Sequence, residues 1–533
     1  MTKRHASARS LLLALALLVG SAAWTGLPAR QQAQQQGQAP EDGPEMPEKI
    51  EVPLDTAWTV QSSVTMADGE EVPYTATVGW MPVYNDEREA VASVFYTYYR
   101  RSDVQDRASR PLTFSFNGGP GSASLWMHLG YTGPRKLLVS ENGYPVQPYG
   151  FEENPHTILD RTDIVYVNPV NTGFSRAVEG ADMDQFFGVE DDVEYLAEWI
   201  GTFVSRNDRW SSPKFLVGES YGTTRVSGLA RQLQQSEWMY VNGVALVSPT
   251  GLGLDRDGPV GDALKLPHYA ATAWYYDQLP AELQEMHLTE ELLPRVEEFT
   301  VEEYIPALTR GGSLSEEERD GIAQQVARYA AVSPEYVKDW NLAVPVSSWR
   351  KEMLRDEGYT LGRLDSRYRG VDRTDAGEYY DYSPELESWN HAFTPAANVY
   401  LREELGVETD LQYWTFGPTP NWEREPNRTG ENLREAMATN PFTHVLVQSG
   451  YYDGATDYFA AKYTMWHIDP SGKFMDRLRF EGYRSGHMMY LREPDRETAN
   501  QDLRELIDAG VPADTARAKY PGGGPPRRPG GGG

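Results

Sequence analysis

The chain contains no cysteine among its 533 residues. Disulfide bonds, thiolate metal sites, iron–sulfur clusters and a cysteine nucleophile are therefore excluded. The sequence also lacks His-Glu-x-x-His and comparable metal-ligand clusters. Any chemistry must come from oxygen and nitrogen groups, and we expect neither a metal nor another cofactor.

Positive charge is scarce. Lysine and arginine total 49 against 78 aspartates and glutamates, which gives a formal net charge of −29 at pH 7. The sequence contains no local stripe of basic residues that could neutralise a phosphate backbone, so nucleic-acid binding is excluded. A large net negative charge keeps a protein soluble and repels anionic surfaces.

The apolar run at the N-terminus, Leu11 to Val19, is far shorter than the roughly 20 residues that a membrane-spanning helix needs. Basic residues precede it, and the small residues Ser21 and Ala23 follow it. This layout favours a secretory signal peptide over residues 1–23 rather than a membrane anchor. We expect export to the periplasm or the medium, and no membrane attachment once the signal is removed.

The two ends of the remaining chain cannot bury a core. Residues 24–50 are rich in Gln, Gly, Pro and acidic residues, and residues 514–533 are rich in Pro and Gly. Such compositions predict a flexible leader and a flexible tail. Between them, residues 51–513 are predicted to form the catalytic domain.

Short strand-like runs alternate with helical stretches along this domain, after an antiparallel meander at Trp58–Gln61 and Tyr74–Val83. The alternation predicts a mostly parallel sheet covered by helices. One helix is indicated by apolar residues at steps of three and four between Val189 and Val204. The runs read as strands are Ala92–Tyr98, Pro111–Phe116, Asp163–Val167, Lys214–Val217, Val241–Val247, Thr443–Gln448 and Lys473–Phe480.

The strand that ends near Ser248 is too far in sequence from the strand that starts near Thr443 for a simple crossover. The residues between them are Glu-rich and show helix caps and Pro breaks, for example at 283–299, 315–331 and 333–342. We therefore predict a large helical cap inserted at residues 255–400.

The sequence Gly218-Glu-Ser220-Tyr-Gly222 lies between a predicted strand and a predicted helix. A strand that turns abruptly into a helix strains its turn residue, and glycines two places before and after relieve the clash. Ser220 would then stand exposed as a nucleophile. The N-terminus of the following helix would offer backbone N–H groups to an oxyanion.

A serine hydroxyl needs a base, and the base needs an acid that orients it. Asp453 follows a glycine turn beyond a late strand, and His487 follows Gly486 after the last strand-like run. The order Ser, Asp, His is that of the α/β-hydrolase arrangement. Asp457 is a rival acid but is predicted to lie within a helix. His444 and His467 are predicted to lie in a strand and a helix.

The second anchor is the loop Asn117-Gly118-Gly119-Pro-Gly121, directly after a predicted strand. Several glycines let the backbone approach a ligand closely and direct N–H groups toward it. No Gly-Lys-Ser/Thr follows, and proline removes a donor, so a phosphate loop is disfavoured. The loop is predicted to contribute to an oxyanion hole.

Taken together, these motifs resemble the serine carboxypeptidases, a family of α/β-hydrolase fold. Their joint occurrence, in the order that the family shows, is more specific than any single motif. The segments that carry the resemblance are Asn117–Gly121, Asn168–Ser175, Gly218–Gly222, Ser449–Asp453 and Ser485–Met488.

The resemblance implies roles for individual residues. It makes Ser220, Asp453 and His487 the catalytic triad, and it assigns the oxyanion hole to the N–H groups of Gly119 and Tyr221. It also implies that the terminal carboxylate of a substrate is bound by Asn117, Gly118 and Glu219.

Two carboxylates side by side cannot both ionise cheaply, so Glu219 should be protonated, which favours acidic pH. The family's pattern leads us to expect a second glutamate before Gly133, but Tyr131 stands there. This departure puts both the acidic optimum and a strict requirement for a free C-terminus in question.

The sequence therefore predicts an exported serine carboxypeptidase that acts through an acyl-enzyme on peptides with a free C-terminus. An acyl esterase or another serine peptidase on the same fold is the alternative, since fold and triad do not set the substrate. A non-catalytic binding protein would need a broken triad. Side-chain specificity, oligomeric state and physiological substrate stay open.

Overall fold

The computed structural model describes residues 51–254, 256–420, 422 and 426–511. The predicted signal peptide, the predicted leader and the predicted tail lie outside these residues. None of the helices in the described ranges combines the length and the apolar character that a membrane span needs.

Fourteen strands are present in the described residues, and ten of them form one sheet. Nine of its strands are longer than four residues and carry most of the pairing. In chain order the strands are β1 Ala57–Thr65, β2 Glu71–Tyr84, β3 Ala90–Arg101, β4 Leu112–Phe116, β5 Arg135–Leu137, β6 Phe151–Glu153, β7 Asp163–Val167, β8 Arg176–Ala177, β9 Lys214–Glu219, β10 Gly243–Val247, β11 Thr360–Leu361, β12 Arg369–Gly370, β13 His444–Gly450 and β14 Leu478–Tyr483.

The large sheet has the order β1-β2-β3-β7-β4-β9-β10-β13-β14, with β8 paired to β3. The first strands form an antiparallel meander that joins β7 antiparallel, and every pair from β7 to β14 is parallel. The prediction of a mostly parallel sheet preceded by a meander is confirmed. Parallel strands place their carboxyl ends at one edge, so β4, β9, β13 and β14 all deliver their following loops there.

Helices cover both faces of the sheet. The α-helices are α1 Val189–Arg206, α2 Tyr221–Gln235, α3 Pro259–Ala263, α4 Leu266–Tyr275, α5 Ala281–Gln284, α6 Leu293–Phe299, α7 Ile305–Arg310, α8 Glu316–Ala330, α9 Pro334–Asp339, α10 Val346–Glu352, α11 Pro384–Val399, α12 Thr429–Thr439, α13 Tyr458–Ile468 and α14 Glu493–Gly510. Single π-helical turns occur at Met127–Thr132, Leu288–Leu292, Thr300–Tyr304 and Tyr400–Glu404, and 3₁₀ turns at Ile158–Asp160, Asp184–Phe186, Gly311–Ser313, Arg355–Glu357, Met475–Arg477 and Met489–Leu491.

Two hydrophobic clusters lie on the opposite faces of the sheet. Helices α1, α2, α12 and α13 contribute to one cluster, and α11 and α14 contribute to the other. The predicted stripe on α1 is buried as expected, with Val193, Leu196, Ile200 and Phe203 all inside the first cluster. This two-sided packing explains why β4, β7, β9 and β10 are buried along their whole length.

The segment between β10 and β13 is largely helical. Helices α3 to α10 have a third hydrophobic cluster of their own, which the start of α13 joins. By contrast, Trp389 and Phe393 of α11 pack into the core of the sheet. The limits of a separate cap at 255–400 stay a prediction, and this packing points to an end before α11.

Two elements differ in detail from the sequence prediction. The last strand begins at Leu478 rather than Lys473, because Met475–Arg477 forms a 3₁₀ turn before it. The helical stretch 283–299 is divided into α5, a π turn and α6. Pro294 at the start of α6 has no N–H to continue a regular ladder, which accounts for the wide turn before it.

Candidate functional site

Ser220 lies at the turn between β9 and α2, at the carboxyl edge of the sheet. Its backbone has φ 58° and ψ −127°, a conformation that residues other than glycine rarely adopt. The residue is partly exposed, while Glu219 before it is buried. The turn therefore presents the Ser220 hydroxyl above the strand end.

The glycines on either side of Ser220 are required by close packing. A β-carbon added to Gly218 would lie 2.2 Å from the carbonyl oxygen of Gly222. One added to Gly222 would lie 2.7 Å from the carbonyl oxygen of Phe116, at the end of the neighbouring strand β4. Both distances are far below contact, so only glycine lets the strand, the turn and the helix pack together.

Asp453 and His487 meet at the ends of β13 and β14. The Nδ1 atom of His487 lies 2.7 Å from Oδ2 of Asp453, and both side chains are buried. The hydroxyl of Thr456 donates to the same Oδ2 at 2.7 Å, and the N–H groups of Ala455 and Thr456 donate to Oδ1 at 2.8 and 3.1 Å. The carboxylate is thus fixed on both oxygens.

These contacts set the ionisation of the pair. Burial opposes ionisation of Asp453, but His487 and the donors around the carboxylate outweigh it and hold the pKa of Asp453 below its usual range. Burial alone would lower the pKa of His487, yet the Asp453 charge and hydrogen bond raise it above 6.5. The Nδ1 contact leaves Nε2 as the nitrogen that can serve as a base.

Ser220 and His487 line one cavity of about 130 Å³, together with Asn117, Gly119 and Glu219. Within the described residues, no hydrogen bond joins the Ser220 hydroxyl to His487 directly. Contacts of this kind are often long in a free enzyme and tighten when substrate binds. The arrangement places the Ser220 hydroxyl and the His487 imidazole at one opening, with the buried Asp453 carboxylate bonded to the imidazole.

Two backbone N–H groups face this part of the molecule without partners. Tyr221 is the first residue of α2, and Gly119 has φ 103° in the loop after β4. Across the described ranges, neither N–H donates a hydrogen bond. The two loops touch, since a β-carbon on Gly118 would lie 2.4 Å from the Tyr221 nitrogen. Such a pair of free donors can stabilise an oxyanion.

Glu219 is held by two side chains. The Asn117 amide donates to its Oε2, and the Tyr490 hydroxyl donates to its Oε1 at 2.8 Å. Burial is the largest influence on this carboxyl and raises its pKa from 4.5 to about 7, although nearby His487 and Tyr490 oppose the rise. Glu219 therefore changes its protonation near neutral pH.

Tyr131 occupies the position where the resemblance implies a second glutamate. Its ring stacks on Tyr490 at a centroid distance of 4.8 Å, and its hydroxyl donates to Gln448 and to the Ala499 carbonyl. Tyr131 thus makes no hydrogen bond to Glu219 itself and instead supports the ring of Tyr490. In this chain a tyrosine hydroxyl is the second partner of Glu219.

The rival residues lie elsewhere. Asp457 caps the N-terminus of α13, where its Oδ1 accepts the N–H of Ala460 at 2.9 Å. Asp457 therefore precedes the helix. The prediction that it lies within the helix is wrong. His444 begins β13, and His467 is exposed in the last turn of α13. None of the three lines the cavity of Ser220.

Three residues at this site were missed by sequence reasoning, namely Thr456, Tyr490 and Arg363. Thr456 orients Asp453, Tyr490 holds Glu219, and Arg363 lines the cavity. Thr456 lies three residues after Asp453, so this neighbour could have been found from its spacing. Tyr490 and Arg363 reach the site only through the tertiary fold and carry no local signal.

Comparison with protein families bears on the first part of the chain. Residues 68–248 match the family model described as serine carboxypeptidase. This match confirms the resemblance to the serine carboxypeptidases. It includes the glycine-rich loop and Ser220, whereas Asp453 and His487 lie beyond it.

Two curated serine carboxypeptidase-like relatives from Arabidopsis thaliana show how low the sequence similarity is. The chain is 28% identical to serine carboxypeptidase-like 44 over 218 residues, which is 39% of this chain and 42% of the relative. It is 28% identical to serine carboxypeptidase-like 46 over 162 residues, or 28% and 32% of the two chains. The matched segments thus span less than half of these relatives.

The fold comparison extends further along the chain than the sequence matches. The structure of the Kex1 prohormone-processing carboxypeptidase from Saccharomyces cerevisiae superposes with a TM-score of 0.51 at 13% identity, covering 82% of this chain and 90% of that one. At this identity the likeness shows the fold alone. The predicted α/β-hydrolase fold is confirmed.

The packing at the Ser220 turn predicts the effect of a single methyl group. We expect Gly218→Ala to destabilise the protein markedly and to remove any reactivity of Ser220, because the added carbon would collide with the Gly222 carbonyl. Gly321→Ala is the matched control: it lies in α8 with open space around it, and should be neutral or stabilising by about 0.5–1 kcal/mol. Thermal unfolding of both variants measures this, and equal melting temperatures would contradict the account.

Proposed function

We propose that the protein is a serine carboxypeptidase. The observation that carries the proposal is the contact of His487 with Asp453 at 2.7 Å, because His487 lines the same cavity as Ser220 and Gly119. The backbone N–H groups of Gly119 and Tyr221, next to Ser220, have no partner in the described residues. These are the parts that acyl transfer through a covalent intermediate requires. The match of residues 68–248 to the family supports the same reading.

In the proposed reaction, Nε2 of His487 accepts the Ser220 proton while the hydroxyl oxygen attacks the carbonyl carbon of the last peptide bond. The N–H groups of Gly119 and Tyr221 stabilise the oxyanion. His487 then donates its proton to the leaving amine, and water repeats the sequence to release the acyl group. Asp453 keeps the imidazole oriented and stabilises its charged form throughout.

The Asn117 amide, the Gly118 backbone and Glu219 are proposed to bind the terminal carboxylate of the substrate. Asn117 and Glu219 are buried and line the same cavity as Ser220. An ionised Glu219 would repel a carboxylate, so binding favours its protonated form, which donates a hydrogen bond. Export of the protein stays a prediction from residues 1–23.

Substrates with and without a terminal carboxylate test this role. For a blocked dipeptide with a free carboxyl group, we expect Asn117→Ala and Glu219→Ala to lower kcat/KM by roughly 10–100-fold, because each removes a hydrogen bond to a charged group. Hydrolysis of a blocked amino-acid ester should fall much less. Glu481→Gln, a half-buried carboxylate on β14 outside the cavity, serves as the control.

Equal losses on both kinds of substrate would contradict the assignment of a carboxylate site. Efficient ester hydrolysis by the wild type, with no peptide hydrolysis at any pH, would favour the alternative of an acyl esterase. A peptidase equally active on free and amidated C-termini would favour another serine peptidase.

The ionisation of His487 and that of Glu219 should each limit activity on one side of the pH profile. His487 must be neutral to act as a base, so activity falls as pH decreases through its pKa, which lies above 6.5. Glu219 must be protonated to bind a carboxylate, so activity on free-carboxyl substrates falls as pH increases through a pKa of about 7. We expect a bell-shaped profile of kcat/KM for these substrates.

Glu219→Gln keeps a hydrogen-bond donor that does not titrate, so the fall on the alkaline side should disappear in this variant. The same limb should be missing for amidated substrates in the wild type. If the decline near pH 7 persists in both cases, the role given to Glu219 is wrong.

A further inference from the structure

Arg363 lines the same cavity as Ser220 and His487 and takes no part in the proposed reaction. The residue is partly buried. In the ranges that the structure describes, its guanidinium forms no ion pair and donates no hydrogen bond, whereas many other arginines, such as Arg225 with Asp192, are paired. The unpaired guanidinium of Arg363 at this cavity is therefore suited to bind an anionic group of a ligand.

The backbone at Arg363 is tied to the loops that carry the reactive groups. The carbonyl of Arg363 accepts the N–H of Gly454 at 3.0 Å, one residue after Asp453. The carbonyl of Leu364 accepts the N–H of His487 at 2.6 Å. These bonds fix the backbone of Arg363 beside the reactive groups, so a group bound near them lies within reach of its side chain.

A buried carboxylate, that of Glu385, bonds to the backbone of this segment. Oε1 of Glu385 accepts the N–H groups of both Arg363 and Leu364, each at 2.8 Å. Glu385 is fully buried and therefore holds the segment from within the protein. It makes no ion pair with the Arg363 guanidinium, which stays available to the cavity.

The rest of the cavity wall strengthens the field of this cation. Large apolar and aromatic side chains form part of the wall, which lowers the local dielectric constant and strengthens an attraction between opposite charges. Glu219, the carboxylate of the wall, already accepts hydrogen bonds on both oxygens. The large apolar lining residues are Trp126, Leu364, Leu386, Trp389, Phe416 and Met488.

We propose that Arg363 binds the side-chain carboxylate of an acidic substrate residue next to the scissile bond. The enzyme would then prefer peptides with Glu or Asp at the last or the penultimate position. A guanidinium suits this role because its planar donors match a carboxylate in a two-point contact. The inference rests on the proposed function and leaves the terminal carboxylate to Asn117 and Glu219.

Matched pairs of blocked dipeptides test the proposal. In one pair the last residue is Glu or Gln, and in the other pair the penultimate residue is Glu or Gln. For the wild type we expect kcat/KM to be roughly 10–100-fold higher for the Glu member of at least one pair. Arg363→Gln should abolish this ratio, and added salt should reduce it in the wild type.

Arg434→Gln is the control, because this arginine pairs with Glu431 on α12 outside the cavity and its loss should leave the wild-type ratio unchanged. Arg363→Glu provides a second, positive test. It should reverse the preference, so that a dipeptide with Lys at the sensitive position is cleaved faster than its Gln partner. A gained preference cannot arise from a misfolded variant.

The failures are distinguishable. If the wild type hydrolyses the panel with equal rates for Glu and Gln, or if Arg363→Gln keeps the wild-type ratio, the inference is wrong and the proposed function stands. If Arg363→Gln slows every free-carboxyl substrate equally and spares amidated ones, Arg363 binds the terminal carboxylate and the inference is again wrong. A folded wild type that hydrolyses no peptide overturns both.

Discussion

The site depends on one constraint, the left-handed backbone of Ser220 at the end of β9. The strand must stop and the helix must start within a single residue, and the contacts of Gly218 and Gly222 leave no room for a side chain at either position. The strain at such a residue costs about 1–3 kcal/mol and is held by the surrounding packing. In return, the Ser220 hydroxyl and the Tyr221 N–H are presented at the same edge of the sheet.

Because the neighbouring strands are parallel, their carboxyl ends add the other groups at this edge. The loop after β4 supplies Asn117 and Gly119, the loop after β13 supplies Asp453, and the loop after β14 supplies His487. The same crowding buries Glu219 and raises its pKa, while Asp453 raises that of His487. In the proposed reaction Glu219 needs a proton and His487 must lose one, which would confine hydrolysis of free-carboxyl substrates to a narrow range of pH.

The sequence predicted those features whose signals are local. The glycines around Ser220, the period of α1 and the alternation of strands and helices each depend on neighbours along the chain, and each is present in the fold. Tyr490 and Arg363 lie far in sequence from Glu219 and Ser220, and only the fold brings them together. The start of β14 was misplaced, since a short run that mixes apolar and charged residues does not distinguish a strand from the 3₁₀ turn that precedes it.

The central claim is that Ser220 is a nucleophile activated by His487. The most direct test is mass spectrometry of the protein after treatment with a fluorophosphonate. The account predicts one covalent adduct, located on Ser220, that is absent in Ser220→Ala and forms far more slowly in His487→Ala. A folded protein without an adduct, or with an adduct on another residue that Ser220→Ala retains, would contradict it.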